Sequence, residues 1–372
     1  MEIPFAASSG PSLGVEWELE IVDPVTRQLV GAASPLLDAL GSPQVKAELF
    51  ACCVELVTGV CGSVAEAEAD LAATLGLVQA EAEHAGHAVM CSGTHPITDW
   101  ADQQITADER YERLVEQMRW PARRLQIFGV HVHVGVRSAE KAIPIVNALT
   151  AYMPHLLALS ASSPYWMGTD TGLASARSKI FEGLPTAGVP HRLAAWADFE
   201  TYMETLLTAR TISSIKEVWW DIRPHPDFGT VELRMCDGLP TLFEVGTIAA
   251  LAQSLVQRLD TQLDDGYGLP APPEWVVREN KWRAARHGID CEVIVDERGT
   301  TRPLREHLLE LIDDLTPIAR RLGCVQQLHR VDDLLKVGPS YQRQRAVAAA
   351  AGGSLDAVVD GLLAEMRTGR PA

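Results

Sequence analysis

The chain has 372 residues, of which 47% are hydrophobic and 22% are charged, so it can bury one large core or two smaller ones and does not have the composition of a disordered chain. Its formal net charge of −17 disfavours binding to nucleic acid or to an anionic membrane. It shows no run of about 18 apolar residues and no signal-peptide pattern, so we expect a cytoplasmic protein. The seven cysteines include no CxxC pair, which favours reduced, packed thiols over disulfides.

Several helix starts are recognisable along the chain. Three Ser or Thr residues are followed three positions later by Glu, which is the pattern of a capping box. The segment 138–162 has helical periodicity, and its two prolines, Pro144 and Pro154, are expected to kink or divide it. The three capping pairs are Ser63 with Glu66, Thr106 with Glu109, and Thr241 with Glu244.

Six segments have the residue pattern of strands. Because they do not alternate strictly with helices, we predict an α+β fold with a mainly antiparallel sheet and helices on one side, rather than a doubly wound sheet. A turn-rich stretch at 265–273 precedes a mainly helical remainder, so we predict one domain over 1–372, with a core over 1–266 and a helical part over 274–372 packed on it. The predicted strands are 15–22, about 54–60, 88–91, 129–136, 218–222 and 230–236.

The first predicted strand carries three glutamates on one face. In GVEWELEIV, Glu16, Glu18 and Glu20 alternate with apolar residues that point to the other face. Glutamate is uncommon in strands and neighbouring carboxylates repel one another, so this arrangement suggests a bound cation. Taken alone, the segment fits a solvated edge strand equally well.

Two later strands repeat this pattern. In GVHVHVGV, His131 and His133 share a face and can bind a metal or a phosphate, although a structural histidine pair is equally common. In TVELRMCD, Glu232 and Arg234 share a face, and this pair alone fits a simple ion pair. If the three strands are neighbours, they form one polar surface over an apolar core, with the oxygen-rich ligands that Mg²⁺ or Mn²⁺ prefers.

Arginines on the same surface suggest an anionic substrate. Carboxylates, a divalent cation and guanidinium groups together suit a nucleoside triphosphate and phosphoryl transfer. The chain has no GxxxxGK[ST] loop and no kinase motif set, so a nucleotide would be held in another way.

Several motifs resemble those of the type 2 glutamate–cysteine ligases, also called carboxylate–amine ligases, and they occur in family order over about residues 12–290. The resemblance implies a curved, mainly antiparallel sheet that forms a funnel as in glutamine synthetase, with helices on its outer face and with ATP and divalent metals at one end. The motifs are GVEWELEIVD, GTHP at 93–96, ERY at 109–111, GVHVHVGV at 129–136, RSKIFEGLPTAG at 177–188, WWDIRPHPDFGTVELRMCD at 219–237 and RENKWRAARHG at 278–288.

The resemblance also implies roles for individual residues. The usual GVEEE opening of the family is GVEWE here, and strand alternation turns Trp17 away from the metals. The basic residues at 278–286 fit a solvated helix face, and the resemblance raises the chance that they reach the rim of the site. The implied metal ligands are Glu16, Glu18, Glu55, His131 and Glu232, with Glu48 as a further candidate; the implied nucleotide-binding residues are His131, His133, Arg177 and Lys179; and the implied catalytic residues are Arg177, Arg223 and Arg234.

The activity implied by the resemblance is ATP-dependent amide formation from two small molecules through an acyl phosphate. L-Glutamate and L-cysteine are the expected substrates, which gives γ-glutamylcysteine, with Mg²⁺ or Mn²⁺ as the metal. A ligase for another acid and amine, a metal-dependent hydrolase and a non-catalytic nucleotide binder are the alternatives. Family analogy and general frequency favour a homodimer.

Overall fold

The computed structural model describes residues 1–372 and is built around one seven-stranded sheet. The sheet strands are β1 (Leu13–Val22), β2 (Val45–Ala47), β3 (Cys53–Val57), β4 (Ala88–Met90), β5 (Gly129–Gly135), β8 (Ile222–His225) and β9 (Thr230–Asp237), and the strands outside it are β6 (Tyr165–Trp166), β7 (Thr169–Asp170), β10 (Glu292–Ile294) and β11 (Thr301–Pro303). The sheet order is β2-β3-β1-β5-β9-β8, with β4 paired to β1. Every pair is antiparallel.

Fourteen helices surround this open sheet. They are α1 (Ala33–Leu40), α2 (Val64–His84), α3 (Glu109–Met118), α4 (Trp120–Arg123), α5 (Ala139–Leu149), α6 (Met153–Ser160), α7 (Ala176–Phe181), α8 (Trp196–Thr208), α9 (Leu242–Asp264), α10 (Glu274–His287), α11 (Leu304–Leu322), α12 (Val325–Val337), α13 (Ser340–Ala350) and α14 (Leu355–Thr368). The predicted α+β class with a mainly antiparallel sheet is confirmed.

The apolar face of the sheet packs against helices in one continuous core. Alternate residues of the strands, such as Val132 in β5 and Leu233 in β9, share this core with side chains of α2, α5, α6 and α9. Trp17 is fully buried there, and its indole Nε1 donates a hydrogen bond to the Leu239 carbonyl at 3.0 Å. Because the helices cover this face, the opposite face of the same strands is left for polar side chains.

The proline-containing segment is divided next to Pro154, as predicted, whereas Pro144 lies inside the continuous helix α5 and does not divide it. A short 3₁₀ turn, Thr150–Tyr152, separates α5 from α6, and Pro154 lies in the first turn of α6, where its missing N–H costs no helical hydrogen bond. Taken as one stretch, 139–160 is long and apolar enough to cross a membrane, with a mean hydropathy of 1.4, contrary to our expectation that no such run exists. However, 78% of that window is buried inside the fold, as in the core helix of a globular protein.

Two boundary predictions are confirmed and two are wrong. Ser63 and Thr241 accept hydrogen bonds from the N–H groups of the glutamates three residues later, as capping boxes require. Thr106 does not cap α3, because its hydroxyl donates to the Glu48 carbonyl and Asp108 is the N-cap residue. The strand predicted at 218–222 begins only at Ile222, since Val218 and Trp220 pack in a small apolar cluster with α8.

The C-terminal helices pack against the rest of the chain, although the β10–β11 hairpin interrupts the helical part. Leucines of α11 and α12 belong to the same continuous core as the sheet. A buried ion triad joins α9, α13 and α14, in which Arg343 lies 2.8 Å from Glu244 and 2.7 Å from Glu365. The division at residue 266 stays a prediction.

All seven cysteines are free and buried, and burial raises the pKa of Cys52 to about 12.

Candidate active site

Polar side chains of five neighbouring strands lie on one face of the sheet. Residues directly opposite one another in an antiparallel pair project from the same side, so the register shows which side chains share a face. We call this surface the polar face. The directly opposed pairs that build it are Glu18 with Glu55, Glu16 with His131, His133 with Glu232, and Arg223 with Glu232.

Arg234 lies on this face two residues after Glu232, as strand alternation predicts, and a β-bulge follows it. The pairing of β5 with β9 shifts between Val130 and Val132, so that two residues of β9, Arg234 and Met235, lie opposite His131. The backbone N–H of Arg234 donates to the Asp221 carbonyl at 2.7 Å. The bulge changes the alternation after Arg234, so that Met235 and Cys236 both pack in the core.

Two sets of side chains on the polar face could each hold a metal ion. One ligand atom each from Glu16, His131 and Glu232 lies within 4.8 Å of the others, and the same is true of Glu18, Glu55 and His131. His131 belongs to both sets, which places it at the centre of the polar face. All five residues that the resemblance implies as metal ligands are therefore brought together, although their role as ligands stays a prediction.

The hydrogen bonds of His131 define its tautomer. Its Nδ1 lies 2.9 Å from Glu16 Oε2. Burial opposes ionisation of Glu16, but hydrogen bonds from His131 and His133 hold the pKa of this carboxyl well below its usual range, so the carboxylate accepts and Nδ1 donates. Burial and the charge of Arg234 lower the pKa of His131 to about 4, which leaves the ring neutral and its Nε2 lone pair free for a cation.

One half of the polar face is ion-paired. Glu232 is 1% exposed and lies between Arg223, whose Nε is 2.6 Å away, and Arg234. Burial opposes its ionisation, but the two guanidinium charges hold the pKa of Glu232 well below its usual range. Arg223 also donates to the carbonyls of residues 216 and 218 at 3.0 and 2.8 Å. We call this half the paired region; it contains Glu16, His131, His133, Arg223, Glu232 and Arg234.

The other half contains acids without cationic partners, and we call it the crowded region: Glu18, Glu48 and Glu55. None of the three forms a salt bridge with a Lys or Arg. Burial and the neighbouring charge of Glu48 raise the pKa of Glu18 to about 8, and the same causes raise the pKa of Glu55 well above its usual range. The charge of Arg177, the Gly129 N–H, which donates to Glu18 Oε2 at 2.5 Å, and the charge of Arg234 favour the charged form of Glu18 but do not offset this rise.

Arg177 and Lys179 differ in their surroundings, although both lie on α7. Arg177 is 3% exposed, and its guanidinium covers Gly129, where any Cβ would overlap it. Its Nη1 donates to the Arg234 carbonyl at 3.3 Å, and its Nε has no partner. Lys179 instead pairs with Glu182 and lies over the ring of Trp282, away from the acids of the polar face. The structure therefore brings Arg177, but not Lys179, to the predicted site.

Sequence reasoning missed a buried lysine next to this site. Lys281 is 2% exposed and its Nζ lies 2.6 Å from carboxylate oxygens of both Asp221 and Glu182. The expected solvated face at 278–286 is therefore wrong for this residue, and it holds for Arg278 and Arg283, which pair with glutamates one helical turn away. The spacing of Lys281 along α10 gives no signal of burial, because the partners come from distant parts of the chain.

Solved structures with the same fold are ligases. A glutamate–cysteine ligase from Francisella tularensis in complex with AMP superposes with a TM-score of 0.74 at 15% identity, and the match covers 98% of this chain and 90% of that one. A bifunctional glutathione synthetase from Pasteurella multocida gives a TM-score of 0.67 at 15% identity, over 96% of this chain and 52% of that one. The fold is that of the glutamine synthetase-like ligases, as predicted.

A family match and relatives of higher sequence identity show which family the chain belongs to. The family described as glutamate-cysteine ligase family 2 matches residues 12–361. A protein from Frankia alni with the provisional name glutamate–cysteine ligase 2-1 is 60% identical over all of this chain and 99% of its own length. A relative from Thermobifida fusca, provisionally named glutamate–cysteine ligase 2, is 55% identical over 100% of this chain and 95% of its own. The chain belongs to glutamate–cysteine ligase family 2, and it is a carboxylate–amine ligase that acts on small molecules.

Proposed function

We propose that this ligase joins the γ-carboxylate of L-glutamate to the amine of L-cysteine with ATP, forming γ-glutamylcysteine, ADP and phosphate. The names of the relatives and the AMP bound to a structural neighbour support this choice. The observation that carries it is the polar face itself, where two overlapping sets of acids and His131 lie beside buried arginines. Such a surface suits a triphosphate, a divalent cation and a substrate carboxylate.

The crowded region gives a physical reason for a metal on this surface. Buried carboxylates without cationic partners are costly, and Glu18 and Glu55 can ionise together more readily when a dication lies between them. We propose that Glu16, His131 and Glu232, and likewise Glu18, Glu55 and His131, hold Mg²⁺ or Mn²⁺. The bound metal supplies positive charge to the phosphate oxygens, where charge develops in the reaction.

The arginines have two different roles in this proposal. Arg177 is buried and Arg234 is half-buried, and each has an Nε without a protein partner, so both keep donors for phosphate or carboxylate oxygens. Arg223 donates hydrogen bonds to Glu232 and to two backbone carbonyls, so it orients Glu232. We therefore assign anion binding to Arg177 and Arg234 and an orienting role to Arg223.

The chemical steps balance without any further reactant. A carboxylate oxygen of glutamate attacks the γ-phosphorus of ATP, and ADP leaves. The cysteine nitrogen, as the neutral amine, then attacks the acyl carbon, and phosphate leaves with the oxygen that bridged carbon and phosphorus. The proton lost by the nitrogen passes to the departing phosphate. Arg177 and Arg234 hold the transferred group in line during the first step.

The test is phosphate release from ATP with each substrate added in turn. We expect release to need the acid, and amide to form only when the amine is also present. Oxygen-18 in the acid carboxylate should appear in the released phosphate. A panel of other acids and amines decides the substrate pair, and Glu244→Gln, in the distant Arg343 triad, is a control for changes in a buried acid away from the polar face.

Several outcomes would contradict the proposal. Hydrolysis of a substrate without ATP would indicate a metal-dependent hydrolase, and nucleotide binding without turnover would indicate a binder. Release of AMP and pyrophosphate would indicate an adenylate in place of the acyl phosphate. Strong preference for another pair would replace glutamate and cysteine but keep the ligase chemistry.

We also propose a cytoplasmic location and a homodimeric state, the first from composition and the second from family analogy. Light scattering of the purified protein tests the oligomeric state.

A further inference from the structure

Asp237, the last residue of β9, is the centre of a buried hydrogen-bond network beside the active site. It is 0% exposed, and no Lys or Arg lies within ion-pair distance of it. Its carboxylate instead accepts three hydrogen bonds: from the Ser162 N–H at 2.9 Å, from the Ser163 hydroxyl at 2.6 Å and from the Ser175 hydroxyl at 2.8 Å. Such a buried acid is costly unless its position serves a purpose.

The two serine hydroxyls connect Asp237 to α7. Ser163 Oγ accepts from the backbone N–H of Arg177 at 3.0 Å, and Ser175 Oγ, the N-cap of α7, accepts from the N–H of Ser178 at 3.3 Å. Each hydroxyl therefore accepts a bond from α7 and directs its own proton to Asp237. Two series of hydrogen bonds therefore begin at backbone N–H groups in the first turn of α7, which carries Arg177, and both end at the Asp237 carboxylate.

Close packing fixes the position of this network. A Cβ at Gly93 would lie 2.7 Å from the Asp237 carboxyl carbon, so the 93–96 turn presses directly against it. Burial raises the pKa of Asp237, and the positive charge of Arg177 opposes this rise, so the two charges stabilise each other across the network. Arg177 in turn covers Gly129, whose N–H binds Glu18.

We propose that Asp237 is a positioning residue that holds the Arg177 guanidinium over the polar face, through Ser163 and Ser175. The proposal rests on the proposed function, in which Arg177 binds the transferred phosphate. The side-chain hydrogen bonds of Asp237 lead through Ser163 and Ser175 to α7 and Arg177, so the effect of its carboxylate on catalysis should pass through Arg177.

The test compares Asp237→Asn with Ser175→Ala. Asparagine keeps an oxygen for the Ser162 N–H but turns an NH₂ group toward Ser175, whose proton then loses its acceptor. Ser175→Ala removes the same link and leaves Asp237 unchanged, so it also serves if Asp237→Asn folds poorly. We expect kcat for acid-dependent phosphate release to fall about 10- to 100-fold in both variants, with smaller changes in the KM values for ATP and acid.

Double variants separate positioning from a general structural role. Asp237→Asn combined with Arg177→Lys should be no slower than Arg177→Lys alone, because both act on one group. Glu244→Gln changes another buried acid, whose carboxylate accepts a hydrogen bond from the Thr241 hydroxyl and pairs with Arg343; it controls for loss of a buried charge and should keep wild-type kcat. Losses that multiply in the double variant, or a kcat for both single variants within about twofold of wild type, would overturn the proposal.

A readout without turnover keeps this proposal distinct from the proposed function. The ¹H–¹⁵N signal of the Arg177 Nε, assigned by its loss in Arg177→Lys, should shift in Asp237→Asn and stay in place in Glu244→Gln. If the wild-type protein releases no phosphate with any acid, the proposed function fails and this signal still tests the positioning. An unshifted signal in Asp237→Asn would refute it.

Discussion

The paired and crowded regions share strand β1 and the same face of the sheet, but the acids of the crowded region have no cationic partners, whereas Glu232 in the paired region has two. In the paired region, Glu232 has two guanidinium partners and its pKa is held low despite burial. In the crowded region, Glu18 is half-buried and lies near other acids, and burial and the charge of Glu48 raise its pKa to about 8. The paired region carries its own counterions, whereas the crowded region is complete only with an added cation.

This difference indicates that the two regions have different roles in the proposed reaction. A surface with counterions already in place is preorganised and holds its shape without ligand, and it can orient phosphate and carboxylate groups. A surface of unpaired acids favours whatever brings positive charge, and it therefore suits the divalent cation of the proposed reaction. Substitutions in the two regions should consequently have different effects on stability and on turnover.

The largest effect is expected from Glu232→Gln. This change leaves Arg223 and Arg234 buried without their shared counterion, so the free energy of unfolding should fall by about 3–5 kcal/mol. Urea denaturation in the presence of EDTA measures it. Glu55→Gln, in the crowded region, should leave stability unchanged or higher under the same conditions. Equal losses in both variants would remove the distinction between the regions.

Glu18→Gln should show the reverse behaviour. We expect turnover to fall about 10²- to 10³-fold, because a charge that binds the metal is lost, while the EDTA-treated protein keeps its stability. Glu20→Gln is the matched control: Glu20 is on the same strand, burial raises its pKa to about 8 as well, and it is hydrogen-bonded only by Ser92. It should keep wild-type turnover and Mg²⁺ dependence. Loss of metal dependence in the control would show that the metal effect is not specific to the acids of the crowded region.

The two histidines test the point where the regions meet. His131 belongs to both candidate metal sets, whereas His133 belongs to neither, and its Nδ1 lies 3.0 Å from the Thr230 hydroxyl. His131→Ala should therefore reduce metal affinity about 10- to 100-fold, and His133→Ala should reduce it less. Calorimetric titration with Mn²⁺ measures both. The opposite order would mean that the metal lies on the other side of the polar face.

The last expected effect is a pH dependence of stability without metal. Because the folded-state pKa of Glu18 is about 8 and an unfolded glutamate ionises near its ordinary value, the folded protein binds the extra proton between about pH 5 and pH 8. The contribution of Glu18 to the free energy of unfolding is therefore fully present at low pH. It is lost as the pH rises, by up to about 1.4 kcal/mol per pH unit.

Thermal unfolding in EDTA across this range measures the slope in the wild type and in Glu18→Gln. The variant should have the flatter profile, and saturating Mg²⁺ should flatten the wild-type profile in the same way. Parallel profiles in the two proteins would show that Glu18 is already ionised in the absence of metal.

The sequence by itself determined the chemistry of the polar face. Strand alternation placed Glu16, His131 and Glu232 opposite the apolar residues, and the antiparallel register confirms that they share a face. Capping patterns located α2 and α9, and the family motifs indicated the glutamine synthetase-like fold. These features are local or repeat with a short period, so they can be read along the chain.

Only the tertiary structure decided how these charges are partnered. The division into paired and crowded regions depends on which strands are neighbours, because β8 and β9 bring Arg223 and Arg234 to Glu232, whereas β1 and β3 bring Glu18 and Glu55 together. The burial of Lys281 between Asp221 and Glu182, and the links from Asp237 to α7, join residues that are 60 or more positions apart. Ionic and hydrogen-bonding energies depend on distance and burial, and neither quantity is written in the spacing of residues along a sequence.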